Sequence, residues 1–386
     1  MRIGIDCRLY GTFHRGIGRY IEQLILQLKN RTDNHQYVLF TTAETAAKLS
    51  LPLDRFSIVI TEVPHYSVRE QLVMPGLILR EKLAIMHWPH LNVPYWCPVP
   101  YIVTIHDLIV YHFPDTRSSN LPSWKYKLKI LGYRFVLARA VKKAVKIITV
   151  SEFTKRDIVR NLTVDADKIM VTYLGVEKML LGTDIMRNTP QFEQMLTEKF
   201  KITKQYVLYA GSAYPHKNLE RLIDAYFLLR GTYNRNWQLV LAGRTDSFYK
   251  KLSEYADTTI SDPQYRNDII FTGEVSDTVL DGLYRGAKCF AFPSWYEGFG
   301  LPPLEAASRG VPVVCSKVAS LPEVMADAAY YCDPEDATSI AHALDVVGGS
   351  HALQDELASA GRKRAKLFTW EKTAAQTVDA YNQIMV

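Results

Sequence analysis

Short apolar runs recur along the chain, separated by stretches whose apolar positions fall at helical spacing. Arg2 to Asp6, Tyr37 to Thr41, Ser57 to Ile60, Ala84 to His87, Tyr101 to Ile105 and Lys146 to Val150 read as buried strands. Between the first two, Ile17, Tyr20, Ile21, Leu24, Ile25 and Leu28 share one face of a helix. Strands alternating with helices predict doubly wound α/β order. A new register starts at Tyr206 to Ala210, with Leu219, Leu222, Ile223, Tyr226 and Leu229 on the inner face of the next helix. Strands ending in LVLAGRTD and in IIFTGEVSD follow. The polar stretch 177–203 reads as a linker without a clear strand. These readings give an N-terminal domain over 1–177, a second domain over 178–367, and a terminal segment over 368–386 with a helix from Thr369 to Met385.

The densest signal is KCFAFPSWYEGFGLPPLEAASRGVPVVC, from Lys288 to Cys315. A strand (Cys289 to Phe292), a Gly/Pro turn, a helix (Pro303 to Arg309) and a strand (Val311 to Cys315) make one βαβ unit. Gly298 and Gly300 let the backbone approach a ligand, Pro302 and Pro303 suit a helix entrance, and amides at such an entrance bind anions. Glu297 stands at the tip of the turn and Glu305 in the first helical turn. Two carboxylates repel a bare phosphate, but they suit a ligand with hydroxyls beside its phosphates, as a sugar nucleotide has.

Glu-x7-Glu within SWYEGFGLPPLEAASRGVPVV resembles the donor-site signature of the retaining glycosyltransferases of family 4. The resemblance implies the GT-B fold: two Rossmann-like doubly wound α/β domains facing a central cleft. It implies that Glu297 holds donor-sugar hydroxyls, Glu305 the ribose hydroxyls, and the backbone of Gly298, Phe299, Gly300 and Leu301 the diphosphate. Whether Glu297 is a nucleophile or a positioning group is left open by the spacing.

Length and charge narrow the picture. The 386 residues exceed one ordinary core. No apolar run approaches the ~18 residues of a spanning helix, and MRIGIDCRLYG lacks the apolar core of a secretory signal. Five cysteines, odd in number and never at C-x-x-C spacing, read as reduced core thiols, so the expected compartment is cytoplasmic. The net charge of +6 is uneven: residues 1–180 carry 25 Lys and Arg against 15 Asp and Glu, and 181–386 carry 21 against 25. The basic half calls for an acidic partner.

In the first half, HRGIGRY puts Gly16 and Gly18 where strand passes to helix. A tight turn and a set of amides facing a diphosphate both fit. The motif is not G-x-G-x-x-G, which argues against a dinucleotide oxidoreductase. Asp6 reads as a loop cap. YSVREQLVMPGLILREKL and HWPHLNVPYWCPVPYIVTIHDLIVYHFPD resemble a family 4 branch rich in lipopolysaccharide and capsule mannosyltransferases. By that resemblance His106, ending a strand with Asp107, lies in the inter-domain cleft near the transferred sugar. VTYLGVE, Val171 to Glu177, resembles the family's strand and Gly turn that close the first domain. His87, His90 and His112 match no compact metal motif.

Between Thr116 and Ser151 there is no acidic residue, while nine Lys and Arg from Arg117 to Lys146 are interleaved with Trp124, Tyr126, Tyr133 and Phe135. The stretch fits a solvated face over buried aromatics or a basic helix lying on anionic lipid at the inner face of the plasma membrane. No nucleic-acid-binding signature accompanies it.

In the second half Lys217 lies at a strand-to-helix junction, and in the family such a lysine neutralises the leaving diphosphate, usually with an arginine. Here Ser212 and His216 stand at the common arginine positions, so Arg244 becomes the substitute. The backbone near Gly273 and Val275 corresponds to the family's nucleobase contact. The expected activity is transfer of a hexose, with retention, from a nucleotide diphosphate sugar to a glycan or lipid-linked acceptor hydroxyl. The branch points to mannose from GDP-mannose. His106, Glu297 and Lys217 are the expected catalytic group, without metal or cofactor beyond the donor. A GT-B epimerase, a phosphorylase without a recognisable pyridoxal lysine, and a silent sugar-nucleotide-binding protein are the alternatives.

Overall fold

Seven strands form one all-parallel sheet and six form another. The computed structural model describes residues 1–11, 15–114, 123–176 and 190–384, with backbone alone at 15, 123–126, 129, 190 and 191. The chain divides into two compact units, Met1–Gly175 with Thr369–Val386, and Val176–Phe368.

The first unit holds β1 (Arg2–Asp6), β2 (Gln36–Thr41), β3 (Phe56–Ile60), β4 (Ile85–Trp88), β5 (Tyr101–Ile105), β6 (Lys146–Thr149) and β7 (Ile169–Val171). Their spatial order is β3-β2-β1-β4-β5-β6-β7. Ile3 and Ile5 on β1 and the whole of β5 are buried, as expected of a parallel sheet covered on both faces. Helix Arg15–Asn30 buries Tyr20, Ile21, Leu24, Ile25 and Leu28. Helix Val68–Arg80 buries Met74 and Ile78, and helix Ser123–Lys143 buries Leu137, Ala140 and Val141.

The last helix, Trp370–Asn382, starts at Thr369, whose hydroxyl accepts from Lys372 N. It is fastened within the first unit: Thr373 Oγ donates to the Tyr173 carbonyl at 2.7 Å, and the Tyr381 hydroxyl meets His87 Nδ1 at 2.7 Å. His87 Nε2 meets Thr104 Oγ at 2.8 Å.

The second unit holds β8 (Tyr206–Ala210), β9 (Gln238–Ala242), β10 (Ile269–Gly273), β11 (Cys289–Phe292), β12 (Val313–Ser316) and β13 (Tyr330–Cys332), in the order β10-β9-β8-β11-β12-β13. Counted within the unit this is 3-2-1-4-5-6, the dinucleotide-fold order.

Three expectations are corrected. The stretch read as linker contains helix Pro190–Phe200, whose Phe192 and Phe200 are buried. The Phe192 ring lies where a Cβ on Gly282 would sit, so this helix packs against Asp277–Gly286. Its apolar period, Phe192, Leu196 and Phe200, is diluted by polar neighbours. The strand expected over Val171 to Glu177 is β7, ending at Val171, while Glu177 lies outside the described residues. The helix read as Pro303 to Arg309 is Leu301–Ser308, and Val311 N still bonds the Ala306 carbonyl, which delays β12 to Val313.

Cys7, Cys289, Cys315 and Cys332 are buried free thiols and Cys97 is half-buried. No helix among the described residues is long and apolar enough to cross a membrane.

Candidate active site

In the second sheet β8 and β11 are neighbours, yet the chain leaves them toward opposite sides, to β9 and to β12. Ligands of open α/β sheets bind at the carboxyl ends of such strands. The loop after β8 carries Lys217 and the loop after β11 carries Glu297. Two fasteners join these loops. Trp295 N donates to the His216 carbonyl at 2.9 Å, and Asn218 Nδ2 donates to the carbonyls of Pro293 and Pro334 at 3.0 and 2.8 Å. Lys217, ending a short 3-10 turn, thereby meets Glu297: Nζ donates to Oε1 at 2.6 Å, with side chains only 14% and 8% exposed. The ammonium also lies 5.2 Å from the centroid of the Phe292 ring.

His216 does not supply the second cation. It is buried, and burial first, then the neighbouring Lys217, lowers its pKa to about 4, so the ring is neutral at pH 7.

Beyond Glu297 the chain enters helix Leu301–Ser308 through Gly300, at φ 99°. That left-handed conformation favours glycine, and a Cβ there would also meet Leu321 Cδ2 at 2.7 Å. Buried Ser320 bridges the carbonyls of Glu297 and Phe299 with its hydroxyl, at 3.0 and 2.9 Å, and fixes the turn. Phe299 packs edge-on to Phe368. Gly298 and Gly300 are buried and Leu301 is half-buried at the helix start. Glu305 is also buried, and the earlier helix start places it in the second turn rather than the first. Its carbonyl accepts from Arg309, which is anchored on Asp281 at 2.6 Å.

Arg244 is exposed just past β9 on the same carboxyl edge. Gly273 ends β10 beside it, its carbonyl accepting from Gly243 N at 3.2 Å, and half-buried Val275 follows. The structure thus brings Lys217 and Glu297 into contact and sets Arg244, Gly273 and Val275 along adjoining strands.

In the first unit His106 follows β5. Its Nε2–H donates to the Pro89 carbonyl at 2.9 Å and its ring meets Tyr20 edge-on at 4.9 Å. Burial lowers its pKa to about 4, so the imidazole is neutral and Nδ1 is left as an acceptor. Gly16 is exposed in the first turn of helix Arg15–Asn30. Gly18 has a packing role, since a Cβ there would lie 1.9 Å from the Gly11 carbonyl oxygen.

Sequence reasoning missed a buried ionic cluster at the corresponding point of the first sheet, between β1 and β4. Arg8 grips Asp6 through two contacts of 2.8 Å and reaches Glu70 at 2.6 Å. Glu70 also accepts from Asn92 Nδ2 at 2.9 and 2.8 Å and from Tyr66 N at 2.9 Å. Asp6 is therefore an ion-pair partner rather than a simple loop cap. The readable signal was S-x-x-E at Ser67 and Glu70, a helix-start motif whose Ser67 Oγ accepts from Glu70 N at 3.1 Å.

Residues 14–178 match the family described as Glycosyltransferase Family 4, and residues 192–364 match Glycosyl transferases group 1. The O-antigen chain mannosyltransferase B of Escherichia coli is 34% identical over 304 residues, covering 77% of this chain and 74% of its own length. The chain is a family 4 glycosyltransferase. The O-antigen chain mannosyltransferase RfbU of Salmonella typhimurium is 29% identical to this glycosyltransferase over 237 residues, 61% of the one and 58% of the other. Among solved structures, sucrose-phosphate synthase from Thermosynechococcus elongatus superposes with TM-score 0.71 at 18% identity, over 100% of this chain and 99% of its own. Anabaena HepE in complex with UDP and glucose gives 0.72 at 15%, over 99% and 100%. These likenesses show the GT-B fold, with two Rossmann-like units.

Proposed function

We propose that this glycosyltransferase moves a hexose, with retention, from a nucleotide diphosphate sugar to a hydroxyl of a glycan or lipid-linked acceptor. The Lys217–Glu297 pair carries the reading. It sets one cation and one carboxylate 2.6 Å apart at the switch point of a dinucleotide-type sheet, beside a glycine-entered helix start. Diphosphate and sugar hydroxyls are the ligand chemistry that divides such a pair.

On donor binding Lys217 exchanges Glu297 for the diphosphate, and Glu297 takes sugar hydroxyls. The bond from the anomeric carbon to the phosphate oxygen breaks as the acceptor oxygen bonds to the same face, and the acceptor proton passes to the departing phosphate. Lys217 and the amides from Gly298 to Leu301 stabilise the charge that grows on that phosphate, with Arg244 as the second cation. Glu305 serves the ribose, the backbone at Gly273 and Val275 the base, and Gly16 the phosphate side. His106 offers the sugar a neutral imidazole, with Nδ1 accepting from a hydroxyl. In this reading Glu297 positions the donor, and no metal or cofactor takes part.

Mannose from GDP-mannose is the preferred donor, supported by relatives named as O-antigen mannosyltransferases. Those relatives favour neither the epimerase nor the silent-binding alternative.

The test is transfer and donor hydrolysis by the purified protein over a panel of sugar nucleotides, with the product anomer assigned by NMR and parallel runs in chelator. GDP-mannose should turn over fastest, give the retained anomer and be insensitive to chelator. An inverted product, a different preferred donor, or activity restored only by magnesium or manganese would each remove the corresponding part of the reading.

A further inference from the structure

The buried cluster around Glu70 holds more than its own charges. β4 ends at Trp88, and the segment 89–92 that follows lies at the carboxyl edge of the first sheet, with Pro89, Leu91 and Asn92 buried. Two latches tie this segment to the entrance of helix Val68–Arg80. Asn92 Nδ2 donates to both carboxylate oxygens of Glu70, at 2.9 and 2.8 Å. The Tyr66 hydroxyl meets His90 Nδ1 at 3.1 Å, with the two rings edge-on at 5.9 Å. Tyr66 itself sits at φ 59°, a left-handed conformation that a tyrosine rarely adopts, and its N–H donates to Glu70 Oε2 at 2.9 Å. Both latches therefore end on Glu70, and Arg8, at 2.6 Å, holds that carboxylate in place.

The segment carries one group that the proposed chemistry needs. Its Pro89 carbonyl accepts from His106 Nε2–H at 2.9 Å, and this bond decides the tautomer: with the proton on Nε2, Nδ1 is the acceptor. The Tyr20 ring meets the imidazole edge-on at 4.9 Å and limits its tilt, but a ring contact does not choose between the two nitrogens. That choice falls to a carbonyl one residue past Trp88, the last residue of β4 paired with β5, so strand pairing does not set its direction. We infer that Asn92 and Glu70 are positioning residues for His106: by fixing the segment 89–92 they aim the Pro89 carbonyl, and so keep Nδ1 ready to accept from a sugar hydroxyl. The inference rests on the sugar-facing role proposed above for His106. It gives the buried ions a task beyond stability, since a carboxylate gripped by Arg8, Asn92 and Tyr66 N is fixed from three directions. The left-handed Tyr66 at the same edge agrees with this, because such strain persists where surrounding contacts impose it and collects at functional sites.

The test is made on the full chain with isotope-labelled histidine and no donor, by long-range proton–nitrogen spectra of the imidazoles, His106 being assigned by its loss in His106→Asn. The parent should show His106 as the Nε2–H tautomer alone. Asn92→Leu removes both donors at similar volume and leaves Glu70 held by Arg8 and Tyr66 N. It should give a mixture of tautomers and lower kcat by about ten- to a hundredfold, the scale of a small misplacement of a reacting group. Affinity for nucleoside diphosphate should be unchanged, since the groups proposed to hold it belong chiefly to the second unit. Tyr66→Phe, at an exposed position, should shift the tautomer in the same sense and lower kcat by about threefold, as loss of one hydrogen bond does. That variant decides the matter should Asn92→Leu fail to fold. A pure Nε2–H tautomer in both variants would overturn the inference even with kcat lowered, because the loss would then be structural. Parent-like turnover in His106→Asn would instead remove the sugar-facing role of His106, and the spectra separate that failure from this one.

Discussion

Replacing Lys217 by Met keeps the stem on Phe292 but removes the ammonium, leaving the Glu297 carboxylate, 8% exposed, without its 2.6 Å partner. Breaking a fully buried pair costs about 3–5 kcal/mol. The slight exposure here places the loss near ~2–4 kcal/mol. Glu297→Gln should cost less, ~1–2 kcal/mol, because the amide oxygen still accepts and the ring still faces the cation. The double variant should lose less than the sum, by a coupling of ~1–2 kcal/mol. For a unit of this size each kcal/mol shifts the midpoint by about 2–4 °C, so calorimetry resolves the cycle. Saturating nucleoside diphosphate should shrink the coupling, since the phosphate takes Lys217 from Glu297. Kinetically, Lys217→Met should lower kcat by about 10²–10³ with little change in KM, as expected for a group that acts on charge developing in the transition state. Strictly additive single losses would refute the pair. A kcat within about threefold of the parent would refute the phosphate role.

Two further outcomes rest on buried charge and on buried histidines. Arg8→Met leaves Asp6 and Glu70 buried together and should cost about 3–5 kcal/mol in urea unfolding; an unchanged midpoint would contradict the cluster. Burial lowers His87 and His90 to about 3 and His106 and His216 to about 4, against a free value near 6.5. The unfolded chain then takes protons first, so stability should fall as pH drops below about 6.5 and continue falling to about pH 4 for His106 and His216 and about pH 3 for His87 and His90. A flat stability profile from pH 7 to pH 4 would show that these rings are not held neutral, as would an activity step near pH 6.5 that His106→Asn removes.

The parts of the site legible in the sequence are those written locally. A strand, a Gly/Pro turn and a helix are read from neighbouring residues, so the local pattern alone puts Glu297, Gly300 and Lys217 each on a loop. Their contact could not be read, because it joins residues 80 apart and depends on β8 lying against β11, an order set by crossovers. The helix start shifted by two residues because Gly300, at φ 99°, caps it ahead of both prolines. Apolar spacing found Tyr20 and Leu24 easily, but missed Phe192, Leu196 and Phe200, where polar neighbours dilute the period.

The ionic cluster shows a deeper reason for the limit. Charge in a sequence is first read as surface, since an unpaired carboxylate rarely survives burial. Glu70 escapes that rule because several donors converge on it: Arg8 from beyond β1, Asn92 from beyond β4, and Tyr66 N from its own helix entrance. None of these partners is informative alone, and only the adjacency of β1 and β4 brings them together. Asp6 follows the same logic. Burial pushes its carboxyl upward, yet the Arg8 guanidinium outweighs this and holds it below the usual carboxylate range. Its stabilising contribution is therefore present above about pH 4 and lost as pH falls through its lowered value. Both units thus place an ion pair at the switch point of the sheet, but with different exposure. Arg8 is closed in by Asp6, Glu70 and the Val63 carbonyl, which suits a strut. Lys217 has Glu297 and a ring face and keeps some exposure, which suits a cation that changes partners.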